Sequence, residues 1–209
     1  AEFFGAILNN EPMGFYPLST ICIEAKARGA KVTGPTLNRS CKDVVVADGE
    51  IVLPFRLING MNDKVLQSIE RERENGPFRS FSDFVKRVRP PVDVLKSMVL
   101  CGVFDEFKIS RKKLVWSLST RYKDAGIPVL DDGALLDEPP DDDALAGPDF
   151  TLSEKIGFEY KILGFGVSGH PVELWRETLS REGFTGSHAL MEVKKGERVK
   201  VGGIPVRPH

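Results

Sequence analysis

The stretch Leu57-Ile58-Asn59-Gly60-Met61-Asn62-Asp63-Lys64-Val65-Leu66-Gln67-Ser68-Ile69 sets a glycine-bearing turn directly against the start of a helix. Gly60 can turn the chain at positive φ without a Cβ penalty, and Asn62 is among the few other residue types that tolerate that region. The first amides of the adjoining helix have no intrahelical acceptor. With the positive end of the helix dipole they form a place for an anion, and Lys64 adds a full charge beside it. The chemistry these residues suit is the gripping of DNA phosphates by backbone amides. Taken alone, the same residues also suit a helix–turn–helix corner packed inside a helical domain.

A second element of the same kind is Val94-Leu95-Lys96-Ser97-Met98-Val99-Leu100-Cys101-Gly102-Val103-Phe104-Asp105, where a helix meets Gly102 and an apolar pair. Next comes Ser110-Arg111-Lys112-Lys113-Leu114, with Ser110 as N-cap and a run of cations in the first turn. Cations disfavour a helix N-terminus, so another reason must hold them there. Arg111, Lys112 and Lys113, together with Lys64, are therefore expected on a DNA-facing surface, beside Gly60, Asn62 and Gly102 in the turns. A connector helix over residues 81–88 would join two helix–hairpin–helix units and let both turns meet one duplex.

Other elements must carry these turns. Apolar residues at helical spacing, Phe4/Ile7/Leu8 and Leu18/Ile21/Cys22/Ala25, predict two helices divided by the Pro12 to Pro17 turn, with Gly29 closing the second. Asp43 to Ala47 and Glu50 to Leu53 flank Asp48-Gly49, a two-residue hairpin signal, and that hairpin would brace the helix–hairpin–helix pair. Residues 125–150 combine proline, glycine and acid and predict a mobile linker. Leu152/Ile156/Tyr160/Leu163 lie on one helical face, and Glu197 to Arg207 alternates as a strand.

Composition bounds the reading. The 209 residues are 41% hydrophobic and 28% charged, as in an ordinary soluble protein. No apolar run approaches a membrane span and no signal-peptide pattern opens the chain, so no membrane partner is expected. The net charge of −1 conceals a division: residues 63–124 hold 14 Lys or Arg against 9 Asp or Glu, whereas 125–150 hold 8 acids and no base. The first stretch attracts nucleic acid and the second repels it. Cys22, Cys41 and Cys101 show neither a disulfide frame nor a zinc knuckle, and the histidines lack metal-ligand spacing, so no metal site is expected. Asp141-Asp142-Asp143 reads as a solvated charge run in a linker. The chain opens inside an apolar periodic segment without an initiator methionine, which reads as a piece of a longer protein.

The order of these elements resembles the C-terminal part of the bacterial C-family replicative polymerases, the DnaE-type alpha subunit of DNA polymerase III. The carriers are Glu2-Phe3-Phe4-Gly5-Ala6-Ile7-Leu8-Asn9, Gly34-Pro35-Thr36-Leu37-Asn38-Arg39-Ser40, the Gly60 hairpin, Gly76-Pro77-Phe78-Arg79-Ser80-Phe81-Ser82-Asp83-Phe84, Leu100-Cys101-Gly102-Val103-Phe104-Asp105 and Glu159-Tyr160-Lys161-Ile162-Leu163-Gly164-Phe165-Gly166-Val167-Ser168-Gly169-His170-Pro171. The resemblance implies a mainly α fold with small β elements. Residues 1–42 would end a helical fingers region, and 43–124 would form a β-hairpin plus tandem helix–hairpin–helix DNA-binding domain. Residues 125–150 would be an acidic linker, 151–183 a helical connector and 184–209 the truncated start of an OB-fold. It implies double-stranded primer–template DNA as partner, a sliding clamp reached directly or through another subunit, and a bacterial cytoplasmic location. It also implies no catalytic residue here, since the carboxylates that hold magnesium belong to a palm domain upstream. Pro12-Met13-Gly14-Phe15-Tyr16 is more similar to the error-prone branch than to the main replicase, and no Gln-led clamp-binding pentapeptide stands in 125–150. Asn62 replaces the usual second hairpin glycine and would bring a side chain to the phosphate.

Two other function classes compete. One is a stand-alone helix–hairpin–helix binding protein. The other is a dinucleotide-dependent oxidoreductase, because Gly164-Phe165-Gly166-Val167-Ser168-Gly169 spells G-x-G-x-x-G with Glu192 downstream. The segment before it is helical by spacing and Pro171 falls where the phosphate-binding helix should already run, so a turn starting a new helix at His170-Pro171 is the favoured structure.

Overall fold

The computed structural model describes residues 1–10, 17–123 and 148–203. Pro12 to Tyr16, most of the acidic stretch and the last residues of the expected strand lie outside them. The described chain is mainly α with a small sheet. Helices α1 (Glu2–Asn9) and α2 (Leu18–Ala27) precede strands β1 (Lys31–Thr33), β2 (Val45–Ala47) and β3 (Glu50–Val52). Then come α3 (Asp63–Glu74), α4 (Phe81–Val88), α5 (Val92–Leu100), α6 (Arg111–Lys123), α7 (Leu152–Leu163), a 3-10 turn (Pro171–Trp175), α8 (Arg176–Arg181) and α9 (Ser187–Leu190).

The hairpin forms where the Asp48-Gly49 pair calls for it: φ is 52° and 73° at these two residues, and β2 pairs antiparallel with β3, Val46 opposite Ile51. Positive φ at both central residues matches the twist of the flanking strands. A third strand was not expected. β1 runs parallel to β3, so the order is β1-β3-β2 with β3 central. Glu50 ties this edge together, accepting from the Thr33 hydroxyl and pairing with Lys31 at 2.9 Å and Arg39 at 2.6 Å. The Thr33 hydroxyl and then the Lys31 ammonium hold its carboxyl down at about 2.

The connector helix occupies Phe81–Val88, as its pattern predicts, because the Ser80 side chain accepts from the Asp83 amide and starts it. Its apolar face puts Phe84 against Phe78 and Phe104, ring centroids 5.2 and 5.3 Å apart, in edge-on contacts that bury three aromatic rings together. The same core continues through Leu95 and Met98 of α5, Leu114 and Leu118 of α6, and Ile162, Leu163 and Phe165 at the end of α7. α7 is thus packed on the helix–hairpin–helix helices. Beyond it, Phe184 and Lys200 form a single bridge. Residues 197–199 form no strand, so the described part of the alternating C-terminal stretch carries one bridge residue rather than a ladder.

Candidate nucleic-acid interface

The first turn comes after a short 3-10 segment, Phe55–Leu57, whose buried Phe55 and the neighbouring Ile58 anchor it in the core. Gly60 then takes φ 85° and is exposed. A methyl group there would lie 3.5 Å from Val94 Cγ2, an ordinary contact, so the glycine serves the backbone angle and not a lack of room. Asn62 does not take positive φ. It is extended, at φ −135°, and its side chain accepts from the Val65 amide at 3.1 Å as the N-cap of α3. The left-handed conformation that asparagine tolerates is not used: the helix begins so soon after Gly60 that position 62 caps it. Among the described residues the amides of Gly60, Asp63 and Lys64 meet no protein acceptor, and the Lys64 side chain is exposed. Asn59 Nδ2 ties the turn to another element, donating to the Lys161 carbonyl of α7 at 3.2 Å.

The second turn is built alike and filled differently. Gly102 has φ 89°, but its amide donates to the Val99 carbonyl at 3.1 Å and the Val103 amide to Met98 at 3.0 Å, closing the end of α5. The face of Gly102 is covered by the Arg111 guanidinium: a methyl group there would lie 2.8 Å from Arg111 Cζ. Gly102 is therefore needed for space as well as for angle.

Arg111 is the main correction to the expected DNA-facing set. It is 5% exposed and faces inward, not toward solvent. Its Nε and Nη2 donate to Asp105 at 2.9 and 2.6 Å, and its Nη1 donates to the Leu100 carbonyl at 3.0 Å and Glu159 Oε1 at 3.1 Å. Burial pulls its pKa down, but Asp105 and Glu159 more than offset that and leave it raised. A cation does have a structural reason to open α6, which is a buried carboxylate 48 residues away. Lys112 is exposed and Lys113 half-buried, so those two remain at the surface.

The α6 N-terminus also has an occupant. Asp149 Oδ1 accepts from the Lys112 amide at 3.1 Å and the Ser110 hydroxyl at 3.0 Å, and Oδ2 pairs with Lys155 at 2.6 Å. Burial opposes its ionisation, yet Lys155, the Lys112 and Phe150 amides and Ser110 together hold its carboxyl down at about 2. An internal carboxylate sits where the sequence pattern places a phosphate.

Glu159, a carrier of the resemblance but not one of the expected site residues, organises the glycine-rich segment. It is fully buried and accepts from the Val167 amide at 2.8 Å, the Ser168 amide at 2.7 Å and the Ser168 hydroxyl, besides Arg111. The G-x-G-x-x-G loop is thus an anion-holding turn whose anion is the chain's own Glu159. It comes after a helix ended by Gly164 at φ 85°, not a strand, and His170 and Pro171 open the next 3-10 turn. The dinucleotide arrangement is absent from these residues. Apart from its place in the motif that carries the resemblance, the sign of Glu159's burial in the sequence was a carboxylate three residues after Ile156, on the apolar stripe itself.

Among the described residues no helix is long and apolar enough to cross a membrane. The family described as the helix–hairpin–helix motif matches residues 29–114, which span both turns. The whole chain is 28% identical over 252 residues to an error-prone DNA polymerase of Symbiobacterium thermophilum, covering 23% of that protein. With an error-prone DNA polymerase of Brucella abortus it shares 27% over 207 residues, covering 97% of this chain and 19% of the relative. With the DNA polymerase III subunit alpha of Borreliella burgdorferi it shares 32% over 220 residues, again 97% and 19%. The chain spans about a fifth of the length of these relatives.

Proposed function

We propose that this chain, a DnaE-type polymerase segment built on a helix–hairpin–helix domain, holds duplex DNA by its phosphates without reading sequence. The observation that carries this is the first turn: Gly60 exposed at positive φ, amides of Gly60, Asp63 and Lys64 without a protein acceptor among the described residues, and the exposed Lys64 at the start of α3. Backbone amides and lysines meet phosphate oxygens and leave base edges unread. The second turn contributes through Lys112 and Lys113, the Gly102, Val103, Lys112 and Lys113 amides being already engaged. In the parent protein this surface would support primer–template DNA near a sliding clamp. Magnesium and nucleotidyl transfer would belong to the palm domain, and the whole protein would work in the bacterial cytoplasm.

The test is binding of an approximately 20-base-pair duplex at rising salt, where each phosphate neutralised adds about 0.9 to the slope of log affinity against log salt. We expect a steep slope that is the same for unrelated sequences. Replacing Lys64, Lys112 and Lys113 together with Glu is expected to abolish binding with thermal stability unchanged, Arg111 being left intact. Unchanged affinity in that variant, or a site-specific and salt-independent complex, sinks the reading.

A further inference from the structure

Helix α7 touches both turns by polar contacts. At the first, the Lys161 carbonyl accepts from Asn59 at 3.2 Å, one residue before Gly60. At the second, Glu159 binds Arg111, and Arg111 lies over Gly102 while donating to Leu100. These α7 residues are two apart, so one short stretch of backbone holds both turns. The stretch is itself immobilised. Glu159 is gripped by the amides of Val167 and Ser168, Lys26 of α2 donates to the Val167 carbonyl at 3.2 Å, and a methyl group at Gly34 would lie 3.2 Å from Val167 Cγ1. A side-chain–backbone bond at an exposed turn adds little to stability, and an apolar core would hold α7 in place without a buried ion pair. What these contacts add is direction: each fixes where a turn points.

We propose that α7 is a strut that sets the open first turn and the lysine-bearing head of α6 at one spacing, with Glu159 and Asn59 as its positioning residues. This rests on the DNA-binding reading for its purpose, but the spacing is measurable without DNA. A duplex has a fixed phosphate repeat, so two turns gain from each other only while their separation is held. The first contact then restricts Lys112 and Lys113, beside the second turn, to the neighbouring phosphates, and affinity exceeds that of either contact alone. With the strut released, each turn binds by itself.

The experiment is a distance measurement between spin labels at Gln67→Cys on α3 and Ser117→Cys on α6, in the full chain with Cys41→Ser so that the remaining Cys22 and Cys101 are buried. Arg111→Met with Glu159→Gln removes the link and both buried charges, while the carboxamide oxygen of the substituted side chain still accepts from the loop amides. Asn59→Ala releases the other end at an exposed site and leaves the core untouched. We expect a narrow distance distribution in the reference protein, about twice as wide in the double variant and less broadened in Asn59→Ala. In the duplex titration the double variant should lose about tenfold in affinity and about half of the salt slope. A distribution as narrow as the reference in both variants overturns the strut. A reference protein that keeps a narrow distribution but binds no duplex overturns the DNA reading, and the widths alone then judge the strut. If the double variant does not fold, the width in Asn59→Ala decides.

Discussion

The two turns share a glycine at nearly the same φ, 85° and 89°, yet one is open and the other is filled by the protein itself. At the first, the helix amides face solvent and the nearby cation is exposed. At the second, the glycine amide closes a helix end, a guanidinium covers the glycine, and Asp149 takes the amide at the start of α6. The difference shows that a motif fixes backbone shape without fixing what that shape holds. A turn able to bind an anion binds an external one only if no internal carboxylate or helix carbonyl reaches it first.

The widest separation between the turns is expected in stability. Arg111→Ala should cost about 3–5 kcal/mol, because it strands Glu159 without its cation in the interior. Lys64→Ala should fall within about 0.5 kcal/mol of the parent, as exposed substitutions do. Urea unfolding of both variants checks this, and equal stabilities would erase the distinction between a structural and a surface cation.

The glycines sharpen the same comparison at a smaller scale. Gly60→Ala meets only the backbone cost of positive φ, about 1–2 kcal/mol. Gly102→Ala meets that cost and also displaces the Arg111 guanidinium, so it should lose at least ~1 kcal/mol more. Thermal melts of the two alanine variants decide, and an equal loss would show that Arg111 moves aside freely.

An effect smaller than the loss of Arg111 separates the turns by pH. Asp149 titrates at about 2 in the folded protein against an ordinary 3.8. A depressed carboxylate stabilises fully above its unfolded value, so this contribution is complete above pH 3.8 and is lost as pH falls toward about 2. It amounts to at most ~2 kcal/mol, reduced by the carboxylate's partial exposure. Asp149→Asn should therefore flatten the acid limb of the stability curve. Glu50, also held at about 2, keeps the part that remains. An unaltered acid limb in Asp149→Asn would mean that the α6 N-terminus is not held by this carboxylate.

Much of the fold was written locally. The Asp48-Gly49 hairpin, the Ser80-started connector helix, the Gly60 and Gly102 turns and the Gly164 helix end each depend on residues within a few positions of one another. Turn angles, caps and apolar periodicity are short-range properties, and the amino-acid order alone determined them. It also carried the resemblance to DnaE-type polymerases and the mainly α class. What it left open were choices between partners distant in sequence. β1 became a strand by pairing with β3, across an intervening loop and strand β2. Asn62 chose capping over positive φ because α3 starts beside it. Arg111 turned inward because α7 brings Glu159 to it, and Lys112 kept its surface position while its amide went to Asp149, 37 residues on. A cation at the head of a helix reads the same whether it awaits a phosphate or neutralises a buried acid. Only the packing of α7 against α5 and α6 decides, since it determines which carboxylates come within hydrogen-bond reach.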